Sequence, residues 1–456
     1  MSTEAATIEA FVVPMPESEH PPTDVESTKA SSVSIAPAPF NNVDLDADLI
    51  FRTSDNVDFY VHKLILKKAS SFFADMLTLA QDATCSSVDV SDELPESSSG
   101  RVVLPIVPVA EASPVFNGLL RIFYPVCDVK RTSLTEVVDT LTVALKYGIE
   151  KAVERTREEL LAYVPSTPLA VYVAACNLDC EHEAHTAVKS WLPTNVNQWS
   201  SSSNIGRRAY EMCNDLQRTT AGHLYRLVRF GKGDNTTLCS PPPLYSSSPD
   251  DQVLTLDELH TQYPFTAFPN PDIIVRSVDD VDIPAHIAHL FHAGAASTIL
   301  ELPKESHPDS GCPMFCLEED GRTLAALLQL CYPFREQELT RNGCSVSIVA
   351  RARKAAEKYG MVKVAEVAEY LMAEQMNKYP VQVYFAASRH GWKTDAEFAA
   401  TQCLALADIG GADTYTKEME VVSAEVYYNL FKTFEETRYK PAPSSSVGYK
   451  KRNGRR

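Results

Sequence analysis

Four groupings of residues have types and spacings that could do chemistry. Cys176-x3-Cys180-x-His182-x2-His185 brings together two thiols and two imidazoles, the donor types of a zinc site. His286, His289 and His292 recur every three residues, which gathers imidazoles along a helix and would suit metal binding or pH sensing. Cys312-x3-Cys316 offers two further thiols with no second pair nearby. Gly231-Lys232-Gly233 has the residue types of a phosphate loop but neither a preceding strand nor a third glycine. Gly-x-Ser-x-Gly and His-Glu-x-x-His are both absent. The reading is therefore non-enzymatic, with no catalytic, cofactor-binding or metal-ligating residue assigned and no small-molecule substrate expected.

The chain that must position these groups has 456 residues, of which 45% are hydrophobic and 22% charged, with a net charge of −18. That is apolar material for more than one core, since single cores stop growing near roughly 250–300 residues. The acidity disfavours nucleic acid as a partner, because polyanion affinity needs a basic face. No stretch has the roughly 18 uncharged apolar residues of a membrane span. The start has neither a basic segment nor an apolar one to direct export, and the 11 scattered cysteines read as reduced thiols. The expectation is an intracellular chain of the cytoplasm or nucleus.

Composition divides the sequence. Residues 1–42 are rich in Pro, Ser, Thr and acid and read as a disordered arm. Residues 231–251 contain Pro241-Pro242-Pro243 and Ser246-Ser247-Ser248-Pro249, which cannot sustain a helix or interior strand, and read as a linker. Residues 439–456 read as a basic disordered tail.

The two blocks between these segments repeat each other. Asp48-Leu-Ile-Phe-Arg-Thr-Ser-Asp-Asn-Val-Asp-Phe-Tyr-Val-His62 aligns without gaps on Asp272-Ile-Ile-Val-Arg-Ser-Val-Asp-Asp-Val-Asp-Ile-Pro-Ala-His286. Leu119–Pro125 then matches Leu327–Pro333, and Lys146-Tyr147-Gly148 matches Lys358-Tyr359-Gly360. Pro168–Ala175 matches Pro380–Ala387, and Tyr225 and Leu227 match Tyr428 and Leu430. The same alignment sets Ser388, Trp392, Thr394 and Glu397 against Cys176, Cys180, His182 and His185. One copy lacks the thiols and imidazoles altogether, so core cysteines at an exposed helix start are the expected reading there. The Cys312 and Cys316 thiols are likewise expected in a core. His286 aligns with His62 and reads as a packed histidine, with His289 and His292 on the surface.

Each copy reads as a small sheet flanked by helices. Leu49–Arg52 and Val57–Val61 flank the Asp55-Asn56 turn signal as a β-hairpin. His62–Ala69 is a short helix, the Phe72, Phe73, Met76, Leu77 run a more buried one, and Val102-Val103-Leu104 a third strand. Ser133-x-x-Glu136 caps a helix that Gly148 stops, and Thr394-x-x-Glu397 caps a later one that Gly410-Gly411 closes.

These residues resemble the BTB/POZ domain. The resemblance rests on Asp48-Leu-Ile-Phe, on Phe59-Tyr-Val-His62-Lys63-Leu64-Ile65-Leu66 and Ser70-Ser71-Phe72-Phe73, and on Tyr124 and Tyr147 in the later helices. Asp272, His286, Tyr332 and Tyr359 occupy the corresponding places in a degenerate second copy, where Ile287 replaces the lysine and Pro284 interrupts the second strand. The resemblance implies a helix-rich α/β (α+β) chain in a tandem arrangement of the kind found among fungal proteins. In it, a BTB/POZ domain at 43–165 has a helical extension at 166–230, and a degenerate BTB-like domain at 252–376 has an extension at 377–438.

The resemblance implies a protein-interaction scaffold whose partners are other proteins, including itself through the BTB domain. Duplication adds the expectation that the copies pack on each other as an intramolecular pseudo-dimer. Two alternatives accompany it: a nuclear transcriptional or chromatin regulator, and a substrate adaptor for a cullin-type ubiquitin ligase. Lys450, Lys451, Arg452, Arg455 and Arg456 would supply the import signal of the former.

Overall fold

The computed structural model describes residues 33–41, 46–83, 104–192, 201–242, 250, 252–294, 299, 302, 305–308, 310–333 and 345–438. The chain divides into two compact units, residues 1–128 and 129–456.

The first unit is a four-stranded sheet with helices. Strand β2 (Leu49–Arg52) and β3 (Val57–Val61) form the hairpin, with Leu49 opposite Val61 and Arg52 opposite Asp58. Asn56 turns the chain at a φ of 59°, a conformation that asparagine tolerates better than most residues. Strand β1 (Ser34–Ile35) runs parallel to β3, and β4 (Ile106–Pro108) runs parallel to β2, giving the order β1-β3-β2-β4. Helices Lys63–Ala69, Ser71–Ala83 and Ser113–Phe123 complete the unit. Leu49, Phe51, Phe59, Val61, Leu66, Phe73, Phe116 and Leu119 form its buried core. Phe116 makes edge contacts with both Phe51 and Phe59, the geometry that aromatic quadrupoles favour.

Two features depart from the sequence reading. The third strand lies at Ile106–Pro108 rather than at 102–104, whose first two residues are outside the described ones. As the edge of the sheet it tolerates Pro108, which has no N–H to donate. Residues 33–41, expected within the arm, contribute β1 and bury Phe40 to 1% exposure against Phe59 and Tyr124. Their Pro- and Ala-rich context hid a strand that exists only because β3 offers an edge to pair with.

The second unit opens with helices Leu134–Lys146 and Glu150–Ala162. Ser133 caps the first by accepting from the Glu136 N–H, while Glu136 reaches back to the Thr132 N–H rather than to that of Ser133. Gly148, at a φ of 60°, separates the two helices. Helices Pro168–Asn177, Glu181–Trp191, Ser202–Met212 and Ala221–Gly231 follow.

A second sheet comes next, ordered β6-β5-β8-β7 from β5 (Ile273–Arg276), β6 (Asp282–Ala285), β7 (Glu305–Ser306) and β8 (Pro313–Cys316). Helices Leu256–Gln262, Ile287–Ala293, Gly321–Cys331, Val346–Lys358 and Val362–Met376 surround it. Pro284 is accommodated because β6 is an edge strand. The unit closes with helices Pro380–His390, Lys393–Cys403 and Ala424–Arg438.

Three further expectations change here. Helix Lys393–Cys403 is preceded by Trp392, without a side-chain cap from Thr394, and Gly410-Gly411 lies beyond its end. Cys316 is exposed and Cys312 half-buried, because β8 turns Met314 and Phe315 inward instead. The stretch after Gly231 is no free linker as far as residue 242: Leu238 is fully buried among the helices.

One hydrophobic core joins helices that precede the second sheet in the chain to helices that follow it, from Tyr172, Leu224 and Val228 to Phe385, Tyr427 and Phe431. Where helices Ala221–Gly231 and Ala424–Arg438 begin, the chain segments pair. The Ala221 N–H donates to Val422 O at 2.9 Å, the Ala424 N–H donates to Thr219 O at 2.9 Å, and Thr220 and Ser423 form an antiparallel bridge between them. Tyr210 stacks on Tyr428 at 4.3 Å, and the buried Arg226 pairs with Glu420 at 2.5 Å.

Candidate interaction site

Helix Lys63–Ala69 follows directly from strand β3, and His62 at its start makes no side-chain cap. A helix start leaves backbone N–H groups without intrahelical partners. Two residues distant in sequence satisfy them. The Asp48 carboxylate accepts from the Lys63 N–H at 2.7 Å, and the Tyr124 hydroxyl accepts from the His62 N–H at 2.9 Å. Burial pushes the Tyr124 phenol up to about 12, so it stays neutral and keeps its oxygen on this bond. The Tyr124 ring meets the edge of Phe40 at 5.1 Å.

Leu66 and Ser70 are buried, and the Ser70 hydroxyl accepts from the Phe73 N–H at 3.4 Å, linking this helix to the next. Of the paired phenylalanines, Phe73 enters the core and Phe72 is 46% exposed. Leu64, at 65%, is exposed as well. Asp48, Phe59, His62, Lys63, Leu66, Ser70 and Tyr124 are thus brought together around one strand-to-helix junction. Tyr147 lies in the other unit, buried at the end of helix Leu134–Lys146.

The second sheet carries the same bonds at the aligned residues. Asp272 accepts from the Ile287 N–H at 2.8 Å, and the Tyr332 hydroxyl accepts from the His286 N–H at 3.0 Å. Replacing lysine by Ile287 leaves the bond intact because it uses only the backbone. Burial again raises the phenol, Tyr332, to about 12. Tyr359 donates its hydroxyl to Glu319 at the end of helix Val346–Lys358.

The histidines do not converge as ligands. The His286 Nδ1 lies 2.8 Å from the Tyr332 hydroxyl, His289 stacks on the Tyr332 ring at 4.1 Å, and His292 is exposed. His289, expected at the surface, is half-buried by that stacking. Burial, with the neighbouring imidazoles of His286 and His292, lowers its pKa. Cys176 and Cys180 are buried, His182 is exposed, and His185 pairs with Glu181 at 2.9 Å. Among the described residues no group of three His, Cys, Asp or Glu is placed to hold a metal ion. Gly231-Lys232-Gly233 ends a helix, with Lys232 paired to Asp408. Lys450, Lys451, Arg452, Arg455 and Arg456 lie outside the described residues. No helix among the described residues is long and apolar enough to cross a membrane.

Several structural residues went unassigned in the sequence, although the repeat alignment contained them. Arg52 and Asp58 form a two-pronged ion pair across the hairpin at 2.7 and 2.8 Å, and Arg276 and Asp282 do the same at 2.6 and 2.7 Å. Asp55, in the turn, accepts from the N–H and hydroxyl of Ser113 at 3.0 and 2.6 Å. Burial opposes ionisation of Asp55, but the Ser113 and Thr53 hydrogen bonds outweigh it and hold its carboxyl below the usual range. The aligned Asp279 accepts from the Gly321 N–H at 2.8 Å. In both sheets the hairpin turn therefore fixes the start of a helix.

No curated protein matches the chain. The model of one domain family does match, over residues 40–163, a stretch running from Phe40 through the hairpin and the Asp48–His62–Tyr124 junction into the helices that end near Tyr163. A BTB/POZ domain is found in this chain at residues 40–163.

Proposed function

We propose that this protein is a non-enzymatic scaffold that binds other proteins through its BTB/POZ domain. The domain match carries this reading, since a BTB/POZ domain is a protein-interaction module and is not typically catalytic. Leu64 and Phe72, large apolar side chains exposed on consecutive helices next to the junction, are the contact surface we assign to it.

The proposal extends to the rest of the chain. We read residues 252–376 as a degenerate BTB-like copy and 377–438 as the counterpart of 166–230, the two helical segments packing as a pseudo-dimer within one chain. The repeated Asp, His and Tyr bonds of the two sheets support the first part. The bonds between 219–221 and 422–424 support the second, because the alignment that pairs Tyr225 with Tyr428 also pairs Thr219 with Val422 and Ala221 with Ala424. Each of the two bonds is then the image of the other, as in a two-fold interface.

Light scattering of the purified full-length chain tests the pseudo-dimer, with a monomer expected; a stable dimer would count against it. Affinity purification tests the scaffold reading. The expected outcome is protein partners that are lost when Leu64→Asp and Phe72→Asp are introduced together, and partners unaffected by that pair would remove the assigned surface.

A further inference from the structure

Cys176 and Cys239 are far apart in the sequence and adjacent in the fold. Helix Pro168–Asn177 buries Cys176 near its end. Beyond helix Ala221–Gly231 the chain turns at Gly233, with a φ of 94°, and comes back over the helices to seat Leu238 in the core. The returning segment is tied down on both of its backbone faces. The two oxygens of Glu181 accept from the Leu238 and Cys239 N–H groups at 2.7 and 2.9 Å, and Arg226 Nε donates to Leu238 O at 2.8 Å.

Within this frame each thiol points at the carbonyl preceding the other cysteine. Cys176 Sγ donates to Leu238 O at 3.5 Å, and Cys239 Sγ lies 3.7 Å from Ala175 O. That reciprocal arrangement sets the two sulfurs side by side, each against the backbone that carries the other. Cys180 is not a competitor, because its thiol is turned to Leu178 O.

We propose that Cys176 and Cys239 form a redox site: a dithiol that hydrogen peroxide converts into an intramolecular disulfide, clamping segment 232–242 to helix Pro168–Asn177. Cys239 is only half-buried whereas Cys176 is buried, so Cys239 meets the oxidant first. Its thiolate attacks one peroxide oxygen, the O–O bond breaks, and the departing hydroxide takes a proton to leave as water. The Cys176 sulfur then displaces hydroxide from the resulting sulfenic acid, the S–S bond forms, and a second water leaves. Two thiols and one peroxide become one disulfide and two waters, with two electrons passing to the peroxide.

The surroundings set the pace. The Cys176 hydrogen bond and burial, with the nearby Glu181 carboxylate, push the Cys239 thiol well above the usual cysteine range. Since the thiolate is the reactive form, the clamp closes slowly at neutral pH and faster in alkali. Once closed, it replaces hydrogen bonds by a covalent link around a long loop, which disfavours the unfolded chain.

The test treats the full-length protein with hydrogen peroxide, alkylates the remaining thiols and maps peptides without reduction. A peptide joining Cys176 to Cys239 is expected, lighter by two hydrogens, reversed by dithiothreitol and formed faster at pH 9 than at pH 7. The melting temperature should rise by several degrees on oxidation. Cys239→Ser should abolish both the linked peptide and the rise, and Cys180→Ser should keep both. The wild-type map decides independently of how the variants fold: recovery of Cys176 and Cys239 as free thiols, as separate sulfinic acids or linked to other cysteines overturns the proposal.

Discussion

The backbone N–H of His62 donates to the hydroxyl of Tyr124 at 2.9 Å, joining the start of one helix to the end of another 62 positions further on. A capping-box carboxylate three residues on would satisfy this N–H locally, but that position is Ile65. The neighbouring Lys63 N–H is satisfied in the same way, by Asp48. Two orphan donors of a seven-residue helix are thus held by the tertiary structure.

Tyr124→Phe removes the acceptor of the part-buried His62 N–H. The expected loss is about 1–3 kcal/mol, read from urea midpoints, with Tyr332→Phe behaving alike. Both phenols are raised to about 12 by burial, against about 10 unfolded. Their contribution is therefore complete below about pH 10 and lost as pH rises towards 12. Wild-type stability should fall across that window more steeply than that of the double Phe variant; parallel curves would sink the assignment.

His223 gives the opposite sign. Burial, and then the Arg226 charge, lower its pKa to about 4, against about 6.5 unfolded. The unfolded state alone takes up a proton below about pH 6.5, so stability is full above that value and lost as pH falls towards 4. The protein should be roughly 2 kcal/mol less stable at pH 5 than at pH 7 from this group. Denaturant titrations of wild type and His223→Gln check it, and an unchanged slope in the variant would be contrary evidence.

Arg226 is 1% exposed and joins Glu420 to Leu238 O. Truncating the buried arginine takes the cation away from the Glu420 carboxylate and the donor away from Leu238 O. Arg226→Ala should therefore cost about 3 kcal/mol, the lower end for such pairs because Glu420 is partly exposed, whereas Arg155→Ala, whose own side chain is exposed, should cost less than about 1 kcal/mol. Thermal melts of the two variants side by side test the contrast.

Gly206 faces the Phe431 ring so closely that an added Cβ would overlap it. Gly206→Ala should cost about 1–3 kcal/mol by overpacking. The same change at Gly231 meets only Ile205 and Leu192 methyl groups beyond 3 Å and should cost less. Equal melting temperatures for the two variants would argue against close packing of helix Ser202–Met212 on helix Ala424–Arg438.

Legibility in the sequence followed locality. The Asn56 turn, the alternating strands around it and the Ser133 cap are decided by neighbours within a few positions, and each lies where the pattern placed it. Cap and strand signals failed where something remote intervened. Thr394 lost the helix start to Trp392, whose ring packs against Arg353. Of the candidate site, Asp48, His62 and Tyr124 were legible as residues, but their backbone bonds were not. Nothing in a tyrosine's neighbours says which distant N–H its hydroxyl will meet.

Residue order alone thus determined a helix-rich α/β chain, with two similar hairpins and a repeating set of Asp, His and Tyr positions. Only the tertiary structure decided that Phe40 belongs to the core, that Leu238 is buried, that Cys176 meets Cys239, and that residues 219–221 pair with 422–424. Periodicity records which face of an element is apolar. What covers that face is settled by whichever remote segment buries the most apolar surface and satisfies the most backbone groups once the chain has closed on itself.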